Sequence, residues 1–84
     1  MKYFVVGRKW FDKVNGNTYN SAKIWNSDGE YCANVDYAYG YGIEYYYRAI
    51  DKIREMFGKD IPYSDIIDLG SAYITKNEVK NFLY

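Results

Sequence analysis

The sequence predicts an α+β fold of the order βββαβα: a three-stranded antiparallel meander, one helix packed across it, a fourth strand and a short C-terminal helix. Three observations predict it. The dipeptides Asn15-Gly16 and Asp28-Gly29 separate segments rich in aromatic and β-branched residues, as hairpin turns do. Apolar residues from Ile43 to Phe57 recur at three- and four-residue spacing, the period of a helix face. Thr75 is followed by Glu78 in the T-x-x-E form of a helix-starting capping box.

Taken in order, residues 3–14 (YFVVGRKWFDKV), 18–26 (TYNSAKIWN) and 30–37 (EYCANVDY) read as the strands of the meander. If both turns are two-residue loops, Trp10 lies opposite Ser21 and Val6 opposite Trp25. Trp25 then lies opposite Cys32, and Ile24 opposite Ala33. One face then carries Tyr3, Val5, Gly7, Phe11, Ala22, Ile24, Ala33 and Val35, an apolar surface with a small middle on which a helix can lie. The other mixes large aromatics with charge: Phe4, Val6, Arg8, Trp10, Tyr19, Lys23, Trp25, Cys32, Asn34 and Asp36.

Residues 38–42 (AYGYG) break the strand pattern with two glycines. The helix over 43–57 presents Ile43, Tyr46, Tyr47, Ile50, Ile53 and Phe57 as its apolar stripe, with Glu44, Arg48, Asp51, Lys52 and Glu55 away from it. Gly58 suits the left-handed position that ends a helix. Lys59 to Ser64 connects, 65–74 (DIIDLGSAYI) reads as the fourth strand and 76–83 as the terminal helix. At 84 residues the chain has room for one core and one domain.

Composition excludes several classes of function. There is no histidine, the usual general base near neutral pH, so the serines have no partner for nucleophilic catalysis. A lone cysteine, Cys32, gives neither a disulfide nor a zinc site, and with no targeting segment in view the expected setting is the cytoplasm, with no metal or cofactor. Asp65 with Asp68 is the nearest thing to a carboxylate pair, but two acids beside a loop are ordinarily a solvated edge. No stretch approaches the ~18 apolar residues of a membrane span. A formal net charge of zero argues against coating duplex DNA.

Charge is nonetheless unevenly placed. Lys2, Arg8, Lys9, Lys13 and Lys23 face only Asp12 within the first 27 residues, whereas residues 28–46 hold acids and, before Arg48, no base. In the two-residue-loop register Arg8 and Lys23 are cross-strand neighbours flanked by aromatics. Arg8, Trp10, Tyr19, Lys23 and Trp25 are therefore the predicted contact face. Such a set stacks and neutralises single-stranded nucleic acid, or grips a protein partner. A second candidate is a ligand loop of Tyr39, Gly40, Tyr41 and Gly42 with Tyr45 at the helix start, where backbone amides attract anions; it lacks the glycine spacing and lysine of a phosphate loop. The C-terminal segment, ending in Phe82, Leu83 and Tyr84, offers either a cover for the charged face or a homodimer contact.

The segment Trp10 to Ile24, WFDKVNGNTYNSAKI, resembles one in short uncharacterised proteins of bacteriophages and related mobile elements, and the likeness continues loosely through Tyr39-Gly40-Tyr41-Gly42 into the following helix. No catalytic residues attach to that resemblance. It implies a small phage-type protein acting in a bacterial cytoplasm, a class that includes inhibitors of host defence such as anti-CRISPR proteins. The functional expectation is thus a non-catalytic accessory protein that binds a host protein or nucleoprotein complex. Single-stranded nucleic-acid binding and sequestration of a small molecule or nucleotide by an oligomer are the alternatives.

Overall fold

The computed structural model describes all of residues Met1–Tyr84. The elements are β1 (Tyr3–Asp12), β2 (Asn17–Asn26), β3 (Tyr31–Tyr39), α1 (Glu44–Phe57), a 3-10 turn at Tyr63–Asp65, β4 (Ile66–Tyr73) and α2 (Lys76–Lys80), the predicted order. They form one sheet in the order β3-β2-β1-β4. The meander is antiparallel, but β4 pairs parallel to β1, so the whole sheet is mixed. The reason is the connection. The chain leaves β3 at one edge, α1 carries it back across the face, and it re-enters at the opposite edge running the same way, as parallel pairing requires.

Both hairpin loops are longer than the two-residue form. Asp12 pairs with Asn17, and the loop Lys13–Gly16 closes through Gly16 N–H donating to Asp12 O at 2.7 Å. The Asp12 carboxylate accepts from the amides of Val14 (3.0 Å) and Asn15 (3.3 Å) and from the Asn15 side chain (2.8 Å), which keeps its carboxyl below the usual carboxylate range. Trp10 therefore pairs with Tyr19, not Ser21, and Trp25 with Phe4, not Val6. The slip is by two positions, so the side chains of β1 and β2 keep their predicted faces, whereas Cys32 of β3, predicted on the charged face, packs against the core beside a bulge. At the second turn Gly29, at φ +80°, donates to Asn26 O. The added loop residue moves Trp25 opposite Tyr31 instead of Cys32, while Ile24 stays opposite Ala33.

The core lies between α1 and the apolar sheet face: Tyr3, Val5, Ala22, Ile24, Ala33, Val35 and Ile66 meet Tyr45, Ala49, Ile50 and Ile53. Full burial of each large aliphatic stabilises by about 1.5–3 kcal/mol. The helix is rotated from the predicted stripe. Tyr45 and Ala49 point inward, whereas Ile43 and Tyr47 are exposed, and Phe57 reaches the core only at its edge, stacked on Tyr3 at 5.1 Å. Phe11, predicted to be core, is exposed because β1 runs past the helix. Gly58 ends α1 at φ 154°, not in the left-handed region.

Tyr45 explains the rotation. Its ring lies on Gly7: a Cβ at that position would sit 2.5 Å from Tyr45 Cε2. Its hydroxyl donates to both Asp68 carboxylate oxygens, at 2.8 and 2.9 Å. Burial, then the bond to Asp68, pushes the phenol up to about 12.

This contact has two measurable consequences. Gly7→Ala is expected to lower stability to urea unfolding by about 1–3 kcal/mol through overpacking, more than Gly16→Ala, which has open space and meets only its left-handed backbone. For pH, a phenol whose folded pKa is raised stays protonated longer in the native state. Its stabilisation is complete below the ordinary value of 10 and is lost as pH rises towards 12. Denaturation midpoints of the wild type should fall more steeply across that window than those of Tyr45→Phe.

Candidate functional site

The sheet face away from α1 is divided into three zones, and the five predicted contact residues are distributed among them. At the hairpin end, Trp10 stacks on its strand partner Tyr19 with centroids 5.6 Å apart. Tyr19 in turn stacks nearly parallel on Tyr37, at 5.4 Å and 7°. Tyr39 meets Tyr19 edge-on at 5.8 Å, and Tyr41 meets Tyr39 edge-on at 5.2 Å. The Tyr39 hydroxyl donates to that of Tyr41 at 2.8 Å, and this bond is the first cause of the raised pKa of Tyr39. Lys76 at the start of α2 places Nζ 5.3 Å from the Trp10 ring centroid.

Tyr37 belongs to this row because of a bulge. The β2–β3 register shifts between the pairs Ala22–Val35 and Asn20–Ala38, which reverses the alternation of β3 and turns Tyr37 and Tyr39 to the face of Tyr19. Strict alternation places Tyr37 with Val35 on the core face. A one-residue bulge leaves no mark in composition, and the only hint is the close tyrosine spacing in D-Y-A-Y.

In the middle zone the C-terminal segment covers Arg8 and Lys23. Ser21 donates to Val79 O at 2.8 Å and shares a 2.9 Å hydrogen bond with the Tyr84 hydroxyl. Arg8 and Lys23 lie 5.3 and 4.9 Å from the Tyr84 ring centroid, and Lys23 also donates to the Tyr84 main-chain oxygen. Arg8 is opposite Ser21 and Lys23 opposite Val6, so the two cations are diagonal neighbours and not directly paired. In the third zone Trp25 packs edge-on to Tyr31 at 5.2 Å and lines a small apolar cleft with Phe4, Val6 and Leu69. Six positions of β1 separate Trp10 from Phe4, the strand partner of Trp25, roughly 20 Å along the strand.

The predicted ligand loop does not assemble. Tyr39 and Tyr41 are exposed and join the aromatic row, whereas Tyr45 is in the core on the other face. Gly40 is buried under Glu44, where an added Cβ would meet Glu44 Cγ at 2.6 Å, and its carbonyl accepts from the Asn20 side chain. Gly42 makes the turn at φ +59°. Glu44 sits in the first turn of α1 and already supplies the negative charge a helix start favours.

No activated nucleophile stands beside these zones. Burial, and then the Glu30 charge, push the Cys32 thiol up, so the thiolate is disfavoured. Asp68 is taken by Tyr45 and by the Gly70 amide at 2.8 Å. No group of three or more His, Cys, Asp or Glu side chains is placed to hold a metal, and no helix is long and apolar enough to cross a membrane. Between the projecting β1–β2 hairpin and the start of α2 lies an open groove of about 990 Å³, lined by Trp10, Phe11, Lys13, Tyr73, Ile74 and Glu78 among others. No family model matches the chain, and neither a curated protein nor a solved structure is significantly similar to it.

The division of the face predicts how its residues couple. In a double-mutant cycle on unfolding free energy, Trp10→Ala and Tyr19→Ala should show a coupling of about 0.5–1.5 kcal/mol, the value of an aromatic pair. Trp10→Ala and Trp25→Ala, at opposite ends, should add to within about 0.5 kcal/mol.

Proposed function

We propose that this chain is a non-catalytic protein that binds a protein partner stoichiometrically through the row Trp10, Tyr19, Tyr37, Tyr39 and Tyr41. The observation that carries the reading is the use of the ring faces. Trp10 lies between Lys76 and Tyr19, and Tyr19 between Trp10 and Tyr37. A platform for single-stranded nucleic acid needs ring faces open to the bases. At the exposed end of this row Tyr39 and Tyr41 cross at 79° and bond hydroxyl to hydroxyl, so the row does not continue as a parallel stack. Large aromatic bodies with polar tips are the residues that dominate protein–protein contacts.

The nature of the partner rests on the phage-type resemblance of Trp10–Ile24: a host macromolecule of the bacterial cytoplasm, with a defence nuclease complex as the leading case and an anti-CRISPR-like inhibition as the outcome. Blocking by occupancy asks nothing of the chain beyond a stable surface, which suits a domain without an acid–base pair.

The test is capture from bacterial lysate on the immobilised chain, with Tyr39→Ala/Tyr41→Ala and Trp25→Ala variants in parallel. The partner should be lost with the tyrosine pair and kept with Trp25→Ala. Retention by the tyrosine variant removes the site assignment. Oligothymidylate binding at low salt that falls steeply as salt rises would favour the nucleic-acid alternative.

A further inference from the structure

We propose that Arg8, Ser21, Lys23 and Asn34 form a second ligand site, for a phosphate carried on an aromatic group, and that Tyr84 occupies this site from within the chain. The site is separate from the aromatic row and does not depend on it.

It begins with two cations that pair with no Asp or Glu side chain. Arg8 donates to the adjacent Gly7 carbonyl at 2.6 Å, and Lys23 to the Tyr84 main-chain oxygen. Neighbouring like charges on a sheet face repel, and an anion between them relieves that repulsion. Tyr84 meets them with the negative face of its ring, its hydroxyl on Ser21 and a main-chain oxygen on Lys23, and gives Arg8 no hydrogen-bond acceptor.

A second observation shows that the occupant fits incompletely. Asn34 is the strand partner of Lys23, and its side-chain oxygen is buried without a hydrogen-bond partner. A buried amide left unpaired is destabilising, and rotation of the amide turns it into a donor. The segment that brings Tyr84 in is also held at some cost, since Phe82 takes φ +57° without being glycine. A planar ring bearing a phosphate takes the place of the phenol more completely. The ring lies against the same two cations, the phosphate oxygens accept from Arg8 and Lys23, and from Ser21 once its hydroxyl turns away from the Val79 carbonyl, and Asn34 gains a partner. Adenosine monophosphate and free phosphotyrosine both have this chemistry, and they differ in the ring they carry.

Self-occupation lowers the apparent affinity by the fraction of time the site is open. Calorimetric titration of the full chain with adenosine monophosphate, phosphotyrosine and inorganic phosphate tests this. Tyr84→Ala should bind one of the two aromatic phosphates about tenfold or more tightly than the wild type does, and the preferred ligand identifies the source. Adding Lys23→Gln to Tyr84→Ala should remove the gain. Equal affinity of wild type and Tyr84→Ala, a gain that survives Lys23→Gln, or inorganic phosphate binding as tightly as the aromatic ligands overturns the proposal. If Tyr84→Ala does not fold, amide NMR of the wild type decides. The signals of Ser21, Lys23 and Tyr84 should shift together at high ligand concentration, and their failure to move is equally fatal.

Discussion

The contact of Tyr45 with Gly7 and Asp68 ties together three elements that nothing in the chain order makes neighbours. The missing Cβ at Gly7 lets the phenol lie flat on β1, and the hydroxyl reaches past it to the carboxylate on β4. Asp68 also accepts from the Gly70 amide where β4 bulges against β1. One buried tyrosine thus sets the rotation of α1, the closeness of helix to sheet and the local shape of the parallel edge strand. Other long side chains of the helix reinforce it. Tyr46 donates to Ile66 O at 2.8 Å, and Arg48 reaches Asn20 and the Asp36 carbonyl. Arg48 is held partly out of water there, which lowers its pKa although Glu44 and Asp36 oppose the shift.

Because α1 is committed to one face, the other face depends on the C-terminal segment after β4. That segment is short: α2 spans Lys76–Lys80, fixed at its start by the reciprocal Thr75 and Glu78 bonds of a capping box, and Val79 is its buried anchor. A helix so short covers the middle of the sheet and leaves both ends uncovered. The aromatic row and the Trp25 cleft are the two remainders. Their separation results from the length of the last element, not from any difference in the strands beneath.

The order of elements was legible because turn, period and capping signals are local. The α1 rotation was not, because Ile43, Tyr45, Tyr46 and Tyr47 all satisfy a helical period, and the choice among them was made by a glycine 38 positions away from Tyr45 in sequence. The parallel sense of β4 depends on where a helix delivers the chain, which no residue of β4 encodes. For the candidate surface, face membership survived the error in loop length because the slip was even. Contiguity did not survive, since the covering segment lies more than 50 positions from the cations it covers. Tyr37 was hidden by a bulge, and Tyr45 was drawn into the wrong site by its closeness in sequence to Tyr41.

The same separation bears on what a neutral chain rich in tyrosine can do. Arg8 and Lys23 would have supplied the charge for a nucleic-acid platform if they stood open beside Trp10 and Tyr19; instead they are turned towards Tyr84. Lys76, which does stand beside Trp10, is engaged on the ring face that a base would need. Stacking and neutralisation, the two halves of single-strand binding, are thereby used within the molecule in different zones. At the row's end Tyr39 and Tyr41 stand half exposed, with the Tyr39 hydroxyl on that of Tyr41 and the Tyr41 hydroxyl on the Gly16 carbonyl. On the proposed reading, a protein partner packs against the exposed bodies of these rings, where no continuous stack is offered to successive bases.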